Sequence, residues 1–140
     1  MDQTIPALSL RQPWAWAILY AGKRIENRTW ATSYRGRIRL HAAKTWDDEG
    51  YIWLLNEGGC DTFLPAAEDP IWFPRGAYVG EVTVADCYSV DWPDADIPEG
   101  QEIWEFGPVC WVLKDPIAYA SPIPGRGYPG LYYPDRFKHR

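Results

Sequence analysis

The segment GRIRLHA, at Gly36–Ala42, most constrains the fold, because its apolar and polar residues alternate without a break. In an extended chain its three apolar side chains lie on one face, and Arg37, Arg39 and His41 lie on the other. The segment is therefore predicted to be a strand that buries its apolar face in a core. The opposite face is either a solvated surface or a basic site for an anionic ligand, and the pattern leaves both open.

The rest of the chain contains more predicted strands than helices, and the two do not alternate regularly. Strands are predicted at Ala7–Leu10, 77–90 and 109–114, and helices at 13–21 and 46–56. Pro13 suits the first turn of the first helix, while Gly22, and Gly58 with Gly59, suit the two helix ends. Proline, glycine and acidic residues predict loops elsewhere, with a partial helical turn in 91–108 and short extended pieces in 115–133.

These patterns predict one α+β domain over 1–140, without repeats or linkers. We expect a small, partly closed β-barrel of about five to six strands with two to three flanking helices. A length of 140 residues suits one domain with a single core. Nine Trp and nine Tyr exceed what a small core usually needs, and such rings also stack on flat ligands.

Charge is distributed unevenly along the chain. The net charge is −5, but residues 1–44 hold eight Lys or Arg against two acids, a local charge of +6. The remaining residues hold six basic against seventeen acidic side chains, a charge of −11. A basic face on an acidic body can attract a phosphate, whereas strong non-specific binding to long duplexes is not expected.

Cysteine usage and hydropathy predict a cytoplasmic protein. Cys60, Cys87 and Cys110 are scattered singly, which is typical of reduced thiols. The longest apolar run, 14–21, is too short to cross a bilayer, and no secretory pattern is visible at the N-terminus. No membrane contact is therefore expected.

Lys23, Glu26 and Arg28 form the sharpest constellation of charged residues. They follow the first predicted helix, and period 2 places Glu26 and Arg28 on one face of an extended chain with Lys23 nearby. A carboxylate between two cations orients both and leaves N–H donors for a phosphate, carboxylate or base edge. The same spacing also fits an exposed ion cluster of little energetic consequence.

Three further segments are candidate ligand sites, and each has a purely structural alternative. The corner Arg11, Gln12, Pro13 and Trp14 opens the first helix, where free N–H groups and side-chain donors can bind an anion. Tyr34 and Arg35 directly precede the alternating strand, where guanidinium and aromatic groups can contact phosphates and bases. Arg126 lies in a glycine-rich turn, GRGYPGLY, whose backbone can approach a ligand closely.

Catalytic signatures are largely missing. Glu81 and Asp86 lie an odd number of residues apart on a predicted strand, so at most one points inward, where it could pair with the arginines. No Ser/His/Asp set, metal-ligand spacing or phosphate loop is visible, so we expect neither a metal nor a cofactor.

In order along the chain, several segments resemble the ASCH domain, a branch of the PUA-like superfamily. LSLRQPWAWAILYAGKRIENRTW is similar to the family's first strand, its R-Q-P-W-type corner and its Gly-x-Lys-x-x-Glu-x-Arg pattern, although Gly22 is here adjacent to Lys23. YRGRIRLHAAK is similar to the strand that follows. PRGAYVGEVTVADC, FGPVCWVLKDP and PIPGRGYPGLY resemble the later strands and the closing turn, where Tyr132 replaces a common Trp.

This resemblance implies a barrel with a cleft floored by the Lys-x-x-Glu-x-Arg strand, and a function in RNA binding at modified or unpaired bases. Some members of the family are ribonucleases or amidohydrolases acting on acylated cytidine. The amidohydrolase-like members carry a nucleophilic Thr three residues after the lysine, where this chain has Glu26, so only acid–base chemistry by Lys23 and Glu26 carries over.

Three functions remain, in decreasing order of support. The first is a binding module for single-stranded RNA or a modified nucleoside or nucleotide, the second an acid–base hydrolase, and the third a protein-interaction domain. The expected ligand-binding residues are Arg11, Gln12, Pro13, Trp14, Lys23, Glu26, Arg28, Tyr34, Arg35, His41 and Arg126.

Overall fold

A computed structural model of the chain describes residues 5–58, 63–92 and 94–134. Its elements, in chain order, are β1 (Ala7–Leu10), α1 (Trp14–Tyr20), β2 (Ile25–Arg28), β3 (Gly36–Ala42), α2 (Asp48–Asn56), β4 (Ala77–Ser89), a short 3-10 helix (Glu102–Trp104), β5 (Val109–Pro124) and β6 (Leu131–Tyr132). The predicted strands, both predicted helices and the predicted helical turn are confirmed, with α2 beginning two residues later than expected.

The six strands form one mixed sheet in the order β2-β5-β4-β3-β1-β6. β1 runs parallel to β3, and the other neighbouring pairs are antiparallel. The sheet curls into a half-barrel, with the two helices beside it. This architecture confirms the predicted α+β class and the small, partly closed barrel.

β5 is longer than the sequence indicates. The prolines after residue 114 predict a loop with short extended pieces, whereas the strand continues to Pro124 and pairs with β4 over most of its length. The pairing shifts register between Glu81 and Thr83, so Asp115 and Pro116 bulge out of the ladder. A bulge tolerates a residue without an N–H group, which explains why a proline does not end this strand.

β3 is buried on both faces rather than on one. Ile38 and Leu40 belong to a core cluster with side chains of β1, α1, β4 and β5, as the alternation predicts. On the opposite face Arg39 is 2% exposed and His41 is 3% exposed. Of the two alternatives for this face, a solvated surface is therefore excluded for these two residues. Arg39 Nη1 donates to the carbonyl oxygen of Ile5 over 3.1 Å, and Gly125 and Gly127 pack on His41.

A second core cluster accounts for much of the aromatic surplus. Phe73 lies at its centre, with ring centroids 5.6 Å from Trp16, 5.1 Å from Trp46 and 6.2 Å from Tyr51. Edge-to-face and tilted packing of this kind stabilises aromatic clusters beyond their simple burial. This cluster packs Trp16 of α1 and Tyr51 of α2 together with side chains of β2 and β5.

The cysteines and the helices are both the subject of sequence predictions. Cys87 and Cys110 are free thiols, as predicted, while Cys60 and Gly59 lie outside the described residues. Within the described ranges, no helix is both long enough and apolar enough to cross a bilayer.

Candidate functional site

The charged residues after α1 form a chain of two ion pairs. Gly22 adopts a left-handed φ of 79°, which lets the chain leave the helix and bring Lys23 beside β2. Lys23 Nζ donates to Glu26 Oε1 over 3.2 Å, and Glu26 Oε2 lies 3.0 Å from Arg28 Nε. One carboxylate thus bridges two cations, as the period-2 spacing on β2 predicts.

Lys23 is unusual for a lysine because its side chain is almost fully buried. Only 2% of it is exposed, and its Nζ also donates to the carbonyl oxygen of Ile25. Burial lowers the pKa of Lys23 from its ordinary value, and the adjacent Glu26 opposes that shift. The ammonium also lies 5.7 Å from the centroid of the Trp14 ring, within cation–π range.

Arg28 connects two strands that are distant in the sheet order. Its Nη2 donates to the carbonyl oxygen of Ser9 over 2.9 Å. β2 is the first strand of the sheet and β1, which carries Ser9, is the fifth. The bond therefore bridges the open side of the half-barrel, and it fixes the guanidinium between Glu26 and Ser9.

The ion-paired side chains of Lys23, Glu26 and Arg28 form one side of a cavity of about 360 Å³, which we call the inner compartment. Its lining residues come from β1, the α1 corner, the turn after α1, β2, the residue after β3 and the loop before β5: Ser9, Leu10, Arg11, Trp14, Lys23, Glu26, Asn27, Arg28, Ala43 and Phe106. Two aromatic side chains, Trp14 and the 56% exposed Phe106, give it flat apolar surfaces.

The α1 corner is held in place by the start of α2. Asp47 caps α2 by accepting from Gly50 N over 3.0 Å, and its other oxygen accepts from Trp14 Nε1 over 2.7 Å. Arg11 Nη2 lies 3.6 Å from the same carboxylate. Trp14 is thus positioned by a partly buried hydrogen bond, with its ring beside Lys23.

A larger cavity of about 820 Å³, the outer compartment, continues from the inner one. It is lined by Ser9, Arg28, His41, Ala43, Lys44, Gly76, Gly125, Arg126, Gly127, Tyr128, Pro129 and Gly130. Three residues, Ser9, Arg28 and Ala43, line both compartments. The two cavities therefore form one groove with Arg28 at their junction.

His41 is a neutral part of the groove wall. Its Nε2 lies 2.8 Å from the carbonyl oxygen of Gly125, which only accepts, so Nε2 carries the proton. Nδ1 then accepts from Ser9 Oγ over 2.9 Å. Burial lowers the pKa of His41, opposed by its bond to Gly125. Gly127 packs so closely here that an added Cβ would lie 2.5 Å from Nδ1.

Seven of the residues predicted to bind a ligand line this groove: Arg11, Trp14, Lys23, Glu26, Arg28, His41 and Arg126. The other four lie outside the lining of both compartments. Gln12 is buried, where it accepts from Trp16 N over 2.9 Å and donates to the carbonyl oxygen of Pro74 over 3.0 Å. Pro13 is buried at the start of α1.

Tyr34 and Arg35 make contacts within the strand region instead. The Tyr34 hydroxyl donates to the carbonyl oxygen of Arg37 over 2.6 Å, and Arg35 pairs with Asp86 at 3.5 Å. Glu81 accepts from the Tyr119 hydroxyl over 2.8 Å. Neither Glu81 nor Asp86 lines the groove, and two register shifts between them make the period-2 comparison of their faces inapplicable.

Sequence reasoning overlooked Ser9, Lys44, Phe106 and Tyr128 as groove residues. Ser9 had a visible signal, since it is the polar residue in an otherwise apolar strand, ALSL. Lys44 also lies directly after the strand that carries His41. Phe106 had no signal, because a loop far along the chain brings it to the inner compartment.

Comparison with known proteins places the groove in a family context. The model of the ASCH domain family matches residues 8–123, which is most of the chain. The chain belongs to the ASCH domain family. It is also similar to Activating signal cointegrator 1 of Homo sapiens and of Mus musculus, with 26% identity to each over 133 residues.

These alignments cover 95% of this ASCH domain but 23% of each relative, so the chain spans about a quarter of the length of those proteins. The residues of the inner compartment all lie inside the family match, whereas Arg126 and Tyr128 follow it in sequence.

Proposed function

We propose that this ASCH domain binds single-stranded RNA or a modified nucleoside or nucleotide in its groove. The observation that carries the proposal is the concentration of five cationic side chains along one concave surface: Arg11, Lys23, Arg28, Lys44 and Arg126. The whole chain carries a net charge of −5, so this local basic surface is not a general property of the protein. Membership of the ASCH domain family, for which we expect RNA binding, supports the same function.

The groove offers the two kinds of contact that an unpaired nucleotide needs. Arg28 Nε lies 3.0 Å from Glu26 Oε2, and Nη2 donates to the carbonyl oxygen of Ser9, so we assign Nη1 as the donor to a phosphate oxygen. Trp14 and Phe106 supply flat surfaces for a base, and stacking on such side chains does not require a paired strand. We therefore favour a single-stranded over a duplex ligand.

Binding of short, labelled single-stranded RNA, followed by fluorescence anisotropy at low salt, tests the proposal. We expect Arg28→Ala to weaken binding about tenfold or more, because a hydrogen bond to a charged group contributes about 1.5–3 kcal/mol. Lys114→Ala is the matched control, since this exposed lysine lines neither compartment. If no RNA or modified nucleoside binds at low salt, the proposal is wrong.

Acid–base hydrolysis is a second candidate, favoured by one observation. Lys23 is a buried amine with a lowered pKa beside a carboxylate, and both groups line the inner compartment. This hypothesis predicts turnover of RNA or acylated nucleosides that is lost in Glu26→Gln while the circular dichroism of the folded protein is retained. Unchanged substrates, with and without divalent metal, would exclude it.

An interaction surface is the third candidate. The Trp72 ring contacts Tyr20 and Phe63 at centroid distances of 5.7 and 5.8 Å, and Ile71 beside it is 82% exposed. Apolar side chains grouped in this way often mark interfaces, and the relatives' name describes a cointegrator. Ile71→Ser is expected to leave the protein folded and to reduce any self-association seen by light scattering. A monomer at all concentrations would argue against association through this face.

A further inference from the structure

We propose that the groove binds a strand of at least two nucleotides, with one nucleotide in each compartment and the phosphate that joins them at Arg28. This inference rests on the proposed function and makes it more specific. On this proposal, a single nucleoside fills only one of the two compartments.

The sizes of the compartments support two units. Sites that enclose a small organic ligand have volumes of about 300–1,000 Å³. The inner compartment, at about 360 Å³, has room for one such unit. The outer compartment, at about 820 Å³, is more than twice as large and has room for another unit with its backbone.

The junction has the chemistry of a phosphate site. Arg28 lines both compartments and is held on two sides, 3.0 Å from Glu26 and 2.9 Å from the carbonyl oxygen of Ser9. A guanidinium fixed in this way loses little further entropy when it binds an anion. The one anionic group that repeats between successive units of a nucleic acid is the phosphodiester, so its position at the junction places a nucleotide on either side.

Charge differs between the two compartments. The inner one combines an acid, Glu26, with its cations, which suits a base that carries both donors and acceptors. Among the described residues, the outer compartment is lined by no acid and contains the exposed cations Lys44 and Arg126. The backbone of the strand is therefore expected to leave the groove through the outer compartment.

The outer wall also provides a stacking surface and a firm support. The Arg126 guanidinium carbon lies 5.4 Å from the centroid of the Tyr128 ring, so a cation and an aromatic face are presented together. Behind them, His41 is hydrogen-bonded to Ser9 and Gly125, and Gly127 packs directly on its ring. Because His41 is neutral, the charge of this wall comes from Arg126 and Lys44.

Isothermal titration calorimetry with ligands of increasing length tests the inference. The probes are the four nucleoside 5′-monophosphates and single-stranded RNA of randomised sequence with two and with four nucleotides. We expect the dinucleotide to bind about tenfold more tightly than the mononucleotides, since it adds charged hydrogen bonds in the outer compartment. The step from two to four nucleotides is expected to be smaller.

Variants of the outer compartment separate its contribution from that of the junction. Lys44→Ala and Arg126→Ala are expected to weaken the dinucleotide several-fold more than the mononucleotides, and so to reduce the gain from the second unit. Lys114→Ala removes an equal charge outside the groove and is expected to keep that gain. Lys44 and Arg126 are exposed, so the Lys44→Ala and Arg126→Ala variants are expected to keep the fold.

Two results would overturn the inference while RNA binding itself stands. One is equal affinity for mononucleotides and dinucleotides, and the other is equal weakening of both by Arg126→Ala. If none of these probes binds, the proposed function fails, and the two-nucleotide site fails with it.

Discussion

Replacing Glu26 with glutamine tests the electrostatic arrangement on which the inner compartment depends. Glu26→Gln keeps the size of the side chain but removes the charge between Lys23 and Arg28. Lys23 then remains almost fully buried, and its Nζ still donates to the carbonyl oxygen of Ile25. An ammonium in that position loses the interaction that compensates for its desolvation.

We expect this substitution to lower the free energy of unfolding by about 2–4 kcal/mol near neutral pH. Removing one partner of a buried ion pair costs about 3–5 kcal/mol. The lower figure applies because Lys23, whose pKa burial already lowers, can release its proton and so avoid part of the penalty. Solvent screens this ion pair little, since the side chains of Lys23 and Glu26 are 2% and 10% exposed.

The sign of the pH dependence follows from the same shift. Without Glu26 the pKa of Lys23 in the folded protein falls further below its ordinary value of 10.5, so the unfolded chain binds more protons. The stability of Glu26→Gln relative to wild type therefore increases as pH rises towards that value. The increase reaches at most about 1.4 kcal/mol per pH unit where Lys23 is neutral in the folded protein and charged in the unfolded chain.

Urea unfolding followed by tryptophan fluorescence, between about pH 6 and pH 9, measures both effects. Glu99→Gln is the control, since Glu99 is an exposed acid outside the groove. The double variant Lys23→Met/Glu26→Gln removes both charges and is expected to be more stable than Glu26→Gln alone. A loss no larger than that of Glu99→Gln, or a loss independent of pH, would refute the idea of a desolvated Lys23.

Three further predictions concern the groove wall and the sheet. Gly127→Ala is expected to reduce the free energy of unfolding by about 1–3 kcal/mol, because its Cβ would overlap His41; an unchanged urea midpoint would contradict the close packing. Because the pKa of His41 is lowered in the folded protein, the unfolded chain takes up the proton first as pH falls below 6.5, and wild type loses stability. His41→Gln should lose less stability over the same pH range. An equal decrease in the free energy of unfolding in both proteins would contradict this. Burial and the bond to Glu81 raise the pKa of Tyr119 to about 12, so wild type should lose stability between its ordinary value of 10.0 and that pH, and Tyr119→Phe should not, in alkaline urea unfolding. Equal alkaline slopes would show that Tyr119 ionises freely in the fold.

The local part of the candidate site could be predicted from the sequence. Lys23, Glu26 and Arg28 lie within six residues of one another, so the geometry of a turn and one strand suffices to bring their charges together. The alternation of β3 likewise predicted which of its side chains enter the core. In both places, one local regularity of the backbone decides the outcome.

Contacts between distant segments were beyond such reasoning. The burial of His41 depends on Gly125 and Gly127, more than eighty residues later, and the bond from Arg28 to Ser9 depends on the curl of the whole sheet. The length of β5 depends on a bulge that accommodates Pro116. Curl, register shifts and loop packing are set by tertiary contacts that a single sequence does not show as a period.

The binding of short single-stranded RNA over a series of salt concentrations tests the central claim most directly. For wild type, the affinity is expected to fall linearly with salt on logarithmic axes, and Arg28→Ala is expected to weaken binding about tenfold and to reduce the slope by about 0.7, the loss of one phosphate contact. Lys114→Ala should match wild type in both quantities. Wild-type affinity and slope in Arg28→Ala would contradict the account, because RNA would then bind without the phosphate site at the centre of the groove.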